Sequence, residues 1–415
     1  MQWLYPGLNI KRWLFLGITG LLSFLLGAFS LLNLALEPRL TAISPFWSGI
    51  LMLLGVILGL VAFRKSLEFI IGLSGASRDW PQQVIQDRQL EKGARIVAIG
   101  GGTGLSSILR GLKKYTSNLT AIVTVADDGG SSGILRQEMG ILPPGDIRNC
   151  LVALADTEPL MEQLFQYRFD SGEGLKGHSF GNLFIATLTD LLGDFEEAIL
   201  ESSKVLAIRG RVLPSTLEDI KLKAFYTDGT EVEGESAIPR ARKRIARVEL
   251  LPGDNQLLPE AARALQEADM IIIGPGSLYT SIIPNLLVGG MSRAISSSDA
   301  MKVYICNIMT QAGETDGYTA SQHVREIISH TGEDKLFDHI VVNTSKYGEE
   351  LIKRYQEEES YPVEVDDNEL LAMGLQVIQG NFTTDELFIR HNPDKLARIL
   401  VDMLCYKSND KDNTR

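Results

Sequence analysis

Residues 95–104 read Arg-Ile-Val-Ala-Ile-Gly-Gly-Gly-Thr-Gly, and this stretch decides the fold. The short apolar run bounded by glycines is the pattern of a strand buried on both faces of a parallel sheet. It runs directly into Gly100, Gly101, Gly102, Thr103 and Gly104, and a helix pattern follows with Leu105, Ile108, Leu109 and Leu112 on one face. Strand, glycine turn and helix form the first unit of a nucleotide-binding α/β fold. Glycines let the backbone approach phosphate oxygens, and the free N–H groups at the helix start supply donors. The GxGxxG fingerprint is incomplete, because Leu105 stands where the third glycine belongs. A tight turn without a ligand is therefore the competing explanation at this point.

The same junction recurs downstream. Leu119 to Ala126 reads as a second strand, ending in Asp127, Asp128, Gly129, Gly130, Ser131 and Ser132. An acid after the second strand is where a ribose hydroxyl is held in such folds, although Asp127 and Asp128 would also serve as turn caps. The segment 143–149 places Asp146 as an N-cap and Arg148 and Asn149 on the same rim, where Arg148 has the geometry to clamp phosphate. His178 and Asn182 precede a helix over 183–192. His178 reads as a capping or ligand-contacting residue, since no nucleophile stands beside it. Met270 to Ile273 is another buried strand running into Gly274, Gly276, Ser277 and Thr280. Lys302 to Cys306 leads to Asn307, Thr310, Gln311 and Glu314, and His339 to Val342 ends at Asn343. Ligands in open α/β sheets bind at the carboxyl ends of the strands, so these polar clusters converge on one rim. Between them, 209–251 reads as a small β-rich insertion, with Asp228-Gly229 as a hairpin turn.

Ahead of this domain, 13–36 and 40–63 contain no charged residue. Each exceeds the roughly 20 apolar residues that cross a bilayer as a helix. The link Glu37-Pro38-Arg39 is short enough to force an antiparallel hairpin. Lys11, Arg12, Arg64 and Lys65 outside it, against Arg39 alone in the link, predict a plasma-membrane hairpin with both ends in the cytoplasm. A signal peptide is the weaker reading, because the apolar run is long and a second follows at once. No ionisable group lies in either span, which argues for an anchor rather than a transport path. The expected organisation is thus a hairpin over 1–65, a connector over 66–93, an α/β domain over 94–405 and a disordered tail over 406–415.

Composition narrows the function. Over 415 residues the net charge is -12, which excludes a nucleic-acid partner built on clustered Lys and Arg. The three cysteines are widely separated and form no CxxC pair, so they imply no metal framework.

The motifs GGGTGL, TVADDGGSSG, PPGDIRN, GHSFGNL, GPGSLYTSIIPNLL, CNIMTQAGETDGYT and RHN together closely resemble the YvcK, or gluconeogenesis factor, family of the CofD-like superfamily. The resemblance runs from Arg95 to about Leu400. It implies a Rossmann-like fold that binds a UDP-sugar such as UDP-N-acetylglucosamine, with roles in cell shape, envelope synthesis and gluconeogenic growth. It also implies that Tyr355 and Arg390 contact the nucleotide sugar, and it leaves room for a regulatory protein partner or self-association. The CofD branch instead implies a phospholactyl transferase using a nucleotide leaving group and a divalent ion such as Mg2+, with Asp127 and Asp128 facing the metal and Glu314 and Asp316 as further acids. A redox enzyme is the weakest reading, since the fingerprint is broken and fold alone does not give chemistry. Typical members of the family are expected to lack the hairpin.

Overall fold

A computed structural model describes residues 10–36, 44–73, 88–156, 159–384 and 388–413. The chain divides into two units, at residues 1–89 and 90–415.

The first unit contains two long helices, Ile10–Leu36 and Pro45–Leu73, packed side by side. Small residues let the backbones meet. A Cβ on Gly55 would lie 2.6 Å from the Gly20 carbonyl, and one on Gly27 would lie 2.6 Å from that of Ser48. Ser48 donates to Ser30 across the pair at 2.9 Å, satisfying a hydroxyl that is otherwise buried. Close approach through small residues with an interhelical hydrogen bond is how helices associate where no water drives them together. Leucines and phenylalanines cover the outer surfaces, and only 11% and 17% of the two most apolar windows are buried. The expected link 37–39 lies outside the described residues. The expected connector does not begin at Ser66: the second helix continues to Leu73, and 74–87 lie outside the described residues.

The second unit is built on seven parallel strands: β1 (Ile96–Gly100), β2 (Leu119–Val123), β3 (Arg211–Pro214), β7 (Met270–Ile273), β8 (Met301–Ile305), β9 (His339–Asn343) and β10 (Gln376–Gly380). Their order is β10-β9-β8-β7-β1-β2-β3. All five residues of β1 are buried, and so are those of β2 and β8, which is why these segments carry no alternation. The chain winds from β1 outward to β3 and then returns to the other side of β1 with β7. The β1–β7 pair is therefore the switch point, where crossovers leave in opposite directions and a crevice opens at the strand ends.

Three expectations need correction here. The strand β3 lies inside the segment 209–251 but pairs with β2 in the main sheet, so the insertion begins only after Pro214. What remains is an antiparallel sheet, β4 (Lys221–Tyr226), β5 (Glu231–Glu233) and β6 (Ile245–Leu251), in the order β5-β4-β6. The strand after residue 119 stops at Val123, and residues 124–128 form the loop. The tail expected to be disordered from 406 is helical to Asn413, within the helix Pro393–Asn413. Its polar composition lacks a packing face, but extending an existing helix avoids the nucleation cost that a free segment would pay. Residues 414–415 lie outside the description.

Candidate functional site

The glycine loops after β1 and β7 lie against each other at the switch point. Gly101 follows β1 in extended backbone, and Gly102 opens the helix Gly102–Leu112 at φ +62°. A Cβ on Gly104 would sit 2.5 Å from the Pro275 carbonyl oxygen, so the two loops touch backbone to backbone. Asn285 donates to the carbonyls of Gly100 at 2.9 Å and Ser281 at 2.8 Å, tying one loop to the other. The buried Glu314 carboxylate accepts from Tyr279 N–H at 3.2 Å and from the Thr280 hydroxyl at 3.1 Å, which fixes the second loop from behind. Burial pushes the Glu314 carboxyl up to about 7, although these hydrogen bonds favour its charged form.

A cleft of about 960 Å³ opens over this junction. Among the residues expected to touch a ligand, Gly101, Gly102, Thr103, Gly104, Asp127, Arg148, Asn149, Gly276, Ser277, Thr280, Asn307, Thr310, Gln311, Tyr355 and Arg390 line it. Gly100, Gly129, Gly130 and Gly274 do not; they shape the turns beneath.

The remaining expected contacts face elsewhere. Asp128 points away from the cleft and accepts from Ser236 N–H at 2.9 Å, fastening the insertion. Ser131 is buried and shared between His178, at 3.0 Å, and the Asn182 side-chain amide, at 3.1 Å. Ser132 accepts from Gly145 N–H at 3.1 Å. Glu314 is the back brace already described. Asp146 is not an N-cap: Pro144 holds that position, and Asp146 sits in the first helical turn with its carboxyl toward the cleft and the Gly102 N–H.

Two features explain how the distal half of the cleft is assembled. The Tyr355 hydroxyl accepts from Ile389 N–H at 2.8 Å, so the helix Glu349–Glu357 holds the strap that carries Arg390. The Arg390 guanidinium lies 5.5 Å from the Phe388 ring, and Arg354 lies 5.8 Å from the same ring. Arg148 donates to the Ser179 hydroxyl and, at 2.7 Å, to the Asn149 side-chain oxygen; its direct acceptors are neutral, and Asp146 and Asp127 are the opposite charges that act on it.

Residues without a sequence motif complete the lining, among them Arg110, Gln166, Arg168 and Glu235. Arg110, Arg148, Arg168 and Arg390 line the same cleft as the carboxyls of Asp127, Asp146 and Glu235. All three carboxyls are raised, chiefly by loss of water around them. Asp146 reaches about 6 with added repulsion from Asp127, and Glu235 about 8 with repulsion first from Asp127.

No group of three or more His, Cys, Asp or Glu side chains among the described residues forms a self-sufficient metal site. Mg2+ commonly takes one or two carboxylates and completes its octahedron with substrate phosphates and water. Asp127 and Asp146 satisfy that requirement. Asp128 does not, because it faces the insertion.

The comparisons agree with this architecture. A family model described as 2-phospho-L-lactate transferase CofD matches residues 96–383. The chain is 52% identical to the Bacillus subtilis gluconeogenesis factor, over 75% of this chain and 98% of that protein. A Nostoc sp. relative is 47% identical over 96% of this chain and 91% of its own length. That span takes in most of the N-terminal segment, so the segment is not peculiar to this chain. A Bacillus halodurans crystal structure superposes with a TM-score of 0.73 at 52% identity, covering 74% of this chain and 99% of that one.

Proposed function

The chain belongs to the CofD family, in its gluconeogenesis-factor branch, and from that premise we propose that the cleft binds a nucleotide sugar of the UDP-N-acetylglucosamine type. One observation carries the reading. Two glycine loops meet at the strand switch point, a helix starts there with no capping side chain at Gly101, and arginines from separate elements line the same space. Backbone donors at a helix start suit a diphosphate, and arginine forks suit its oxygens. A cleft of this size accommodates a ligand larger than a free nucleotide.

On this reading the protein senses the nucleotide sugar and regulates gluconeogenic growth, cell shape and envelope synthesis without turning it over. The names of the relatives support the first of these roles. A second reading, transfer from a nucleotide-activated donor, is favoured by Asp127 and Asp146, which stand where a phosphate-bound cation would need them. Incubation with UDP-N-acetylglucosamine and Mg2+, followed by chromatography, separates the two. A sensor returns the ligand intact, and Asp127→Asn changes its affinity little. Catalytic release of UDP or UMP that Asp127→Asn abolishes would establish the transferase and overturn the sensor.

We further propose that the two apolar helices anchor the α/β unit to the cytoplasmic face of the plasma membrane. In water their outward apolar surface would far exceed the few hundred Å² that soluble proteins expose. The full chain is expected to pellet with membranes and resist carbonate extraction, whereas a chain starting at Arg88 should be soluble without detergent. Release of the full chain by carbonate would remove the anchor.

A further inference from the structure

Glu235 enters the cleft from the inserted sheet, just beyond β5, and not from the parallel sheet that supplies most of the lining. The backbone on both sides of it is pinned. Gly234 N–H donates to the Leu222 carbonyl at 2.8 Å, and Ser236 N–H donates to Asp128 at 2.9 Å. The Tyr226 hydroxyl donates to the Ile238 carbonyl at 3.1 Å. The next carbonyl, of Pro239, rests so close to Gly313 that a Cβ there would lie 2.2 Å from it. Yet the Glu235 carboxyl itself makes no hydrogen bond or ion pair with any described residue. A carboxyl held in place by its backbone, open to the cleft and left without a protein partner is available to a ligand.

The surroundings say what kind of group that is. The charges that act most strongly on Glu235 are carboxylates, led by Asp127, which disfavours a phosphate at this spot. The phosphate-binding features lie at the glycine loops and the arginines. What remains for Glu235 is a neutral part of the ligand rich in hydrogen-bonding groups. We infer that Glu235 recognises the sugar half of the bound nucleotide sugar, through ring hydroxyls or an amide, and so sets specificity for the sugar over the free nucleotide. This rests on the nucleotide-sugar reading. Burial and repulsion by Asp127 push this carboxyl up to about 8, and in either protonation state it offers hydrogen-bonding oxygens to a hydroxyl or amide.

The test uses the full chain in detergent, titrated calorimetrically with UDP and with UDP-N-acetylglucosamine, each in EDTA and in Mg2+. Glu235→Ala should weaken the sugar nucleotide about tenfold and leave UDP unchanged, the loss expected for one or two hydrogen bonds. Glu235→Gln, which keeps a donor and an acceptor, should recover part of the loss, and it carries the test alone if the alanine variant lowers Tm. Equal weakening of both ligands, or none, overturns the inference. Weakening confined to Mg2+ also overturns it, assigning Glu235 to a cation. If the wild type binds neither ligand, the nucleotide-sugar reading falls and this inference falls with it. If the wild type binds and Glu235→Ala is silent, only the inference falls.

Discussion

Gly104→Ala is expected to reduce nucleotide-sugar binding by on the order of a hundredfold or more. The added carbon would lie 2.5 Å from the Pro275 carbonyl oxygen and 2.9 Å from its carbon. Both are backbone atoms, so no side chain can swing aside, and the two glycine loops must part. Displacement by about an ångström at a binding locus costs roughly two orders of magnitude, while the strain in the fold costs about 1–3 kcal/mol. Gly102 provides the contrast. It has open space around it, but its φ of +62° lies in the left-handed region. Asn visits that region more readily than most residues, so Gly102→Asn should retain measurable affinity while Gly104→Asn retains none. Calorimetric titration of both variants checks this. Equal behaviour would mean that loop apposition is not what forms the phosphate locus.

Arg390→Ala should weaken nucleotide-sugar binding by about 1.5–3 kcal/mol, the range for a hydrogen bond to a charged group, which is about tenfold to 150-fold in affinity. The side chain leans on Phe388 and is carried by a strap fixed to Tyr355, so its loss removes a charge without releasing the backbone. Fold stability should therefore hardly change. Arg390→Lys should recover little, because a point charge does not reproduce a planar fork. An Arg390→Ala variant that binds as tightly as wild type in direct titration would move the phosphate contacts to Arg148 and the glycine loops alone.

The strand-to-glycine junctions were legible because buried parallel strands read as unbroken apolar runs, and β1, β7 and β8 each end in a visible loop. The edge strand β10, Gln-Val-Ile-Gln-Gly, was not read at all: its polar positions hide the run. The strand β3 was assigned to the insertion because four residues ending in Pro214 resemble a turn region more than a strand. At the site, a polar residue beside a glycine loop announces proximity but not direction. Asp127 and Asp128 are neighbours in sequence, yet one faces the cleft and the other fastens the insertion. Ser131 bonds to His178 and Asn182 in the interior for the same reason. Glu235 left no signal, because its position depends on how the inserted sheet folds back over the loops.

The helix Pro393–Asn413 lies along the helix Gly102–Leu112, so closely that a Cβ on Gly111 would fall 2.1 Å from the Pro393 carbonyl. Translation delivers these two partners at opposite ends of the domain. The first glycine loop leaves the ribosome early, but its helix must wait for the segment from Pro393 onward before this neighbour arrives. Domains tend to fold as units during synthesis, and here the unit closes only at its far end. A prematurely terminated chain would carry every glycine of the first loop and still lack the wall behind it.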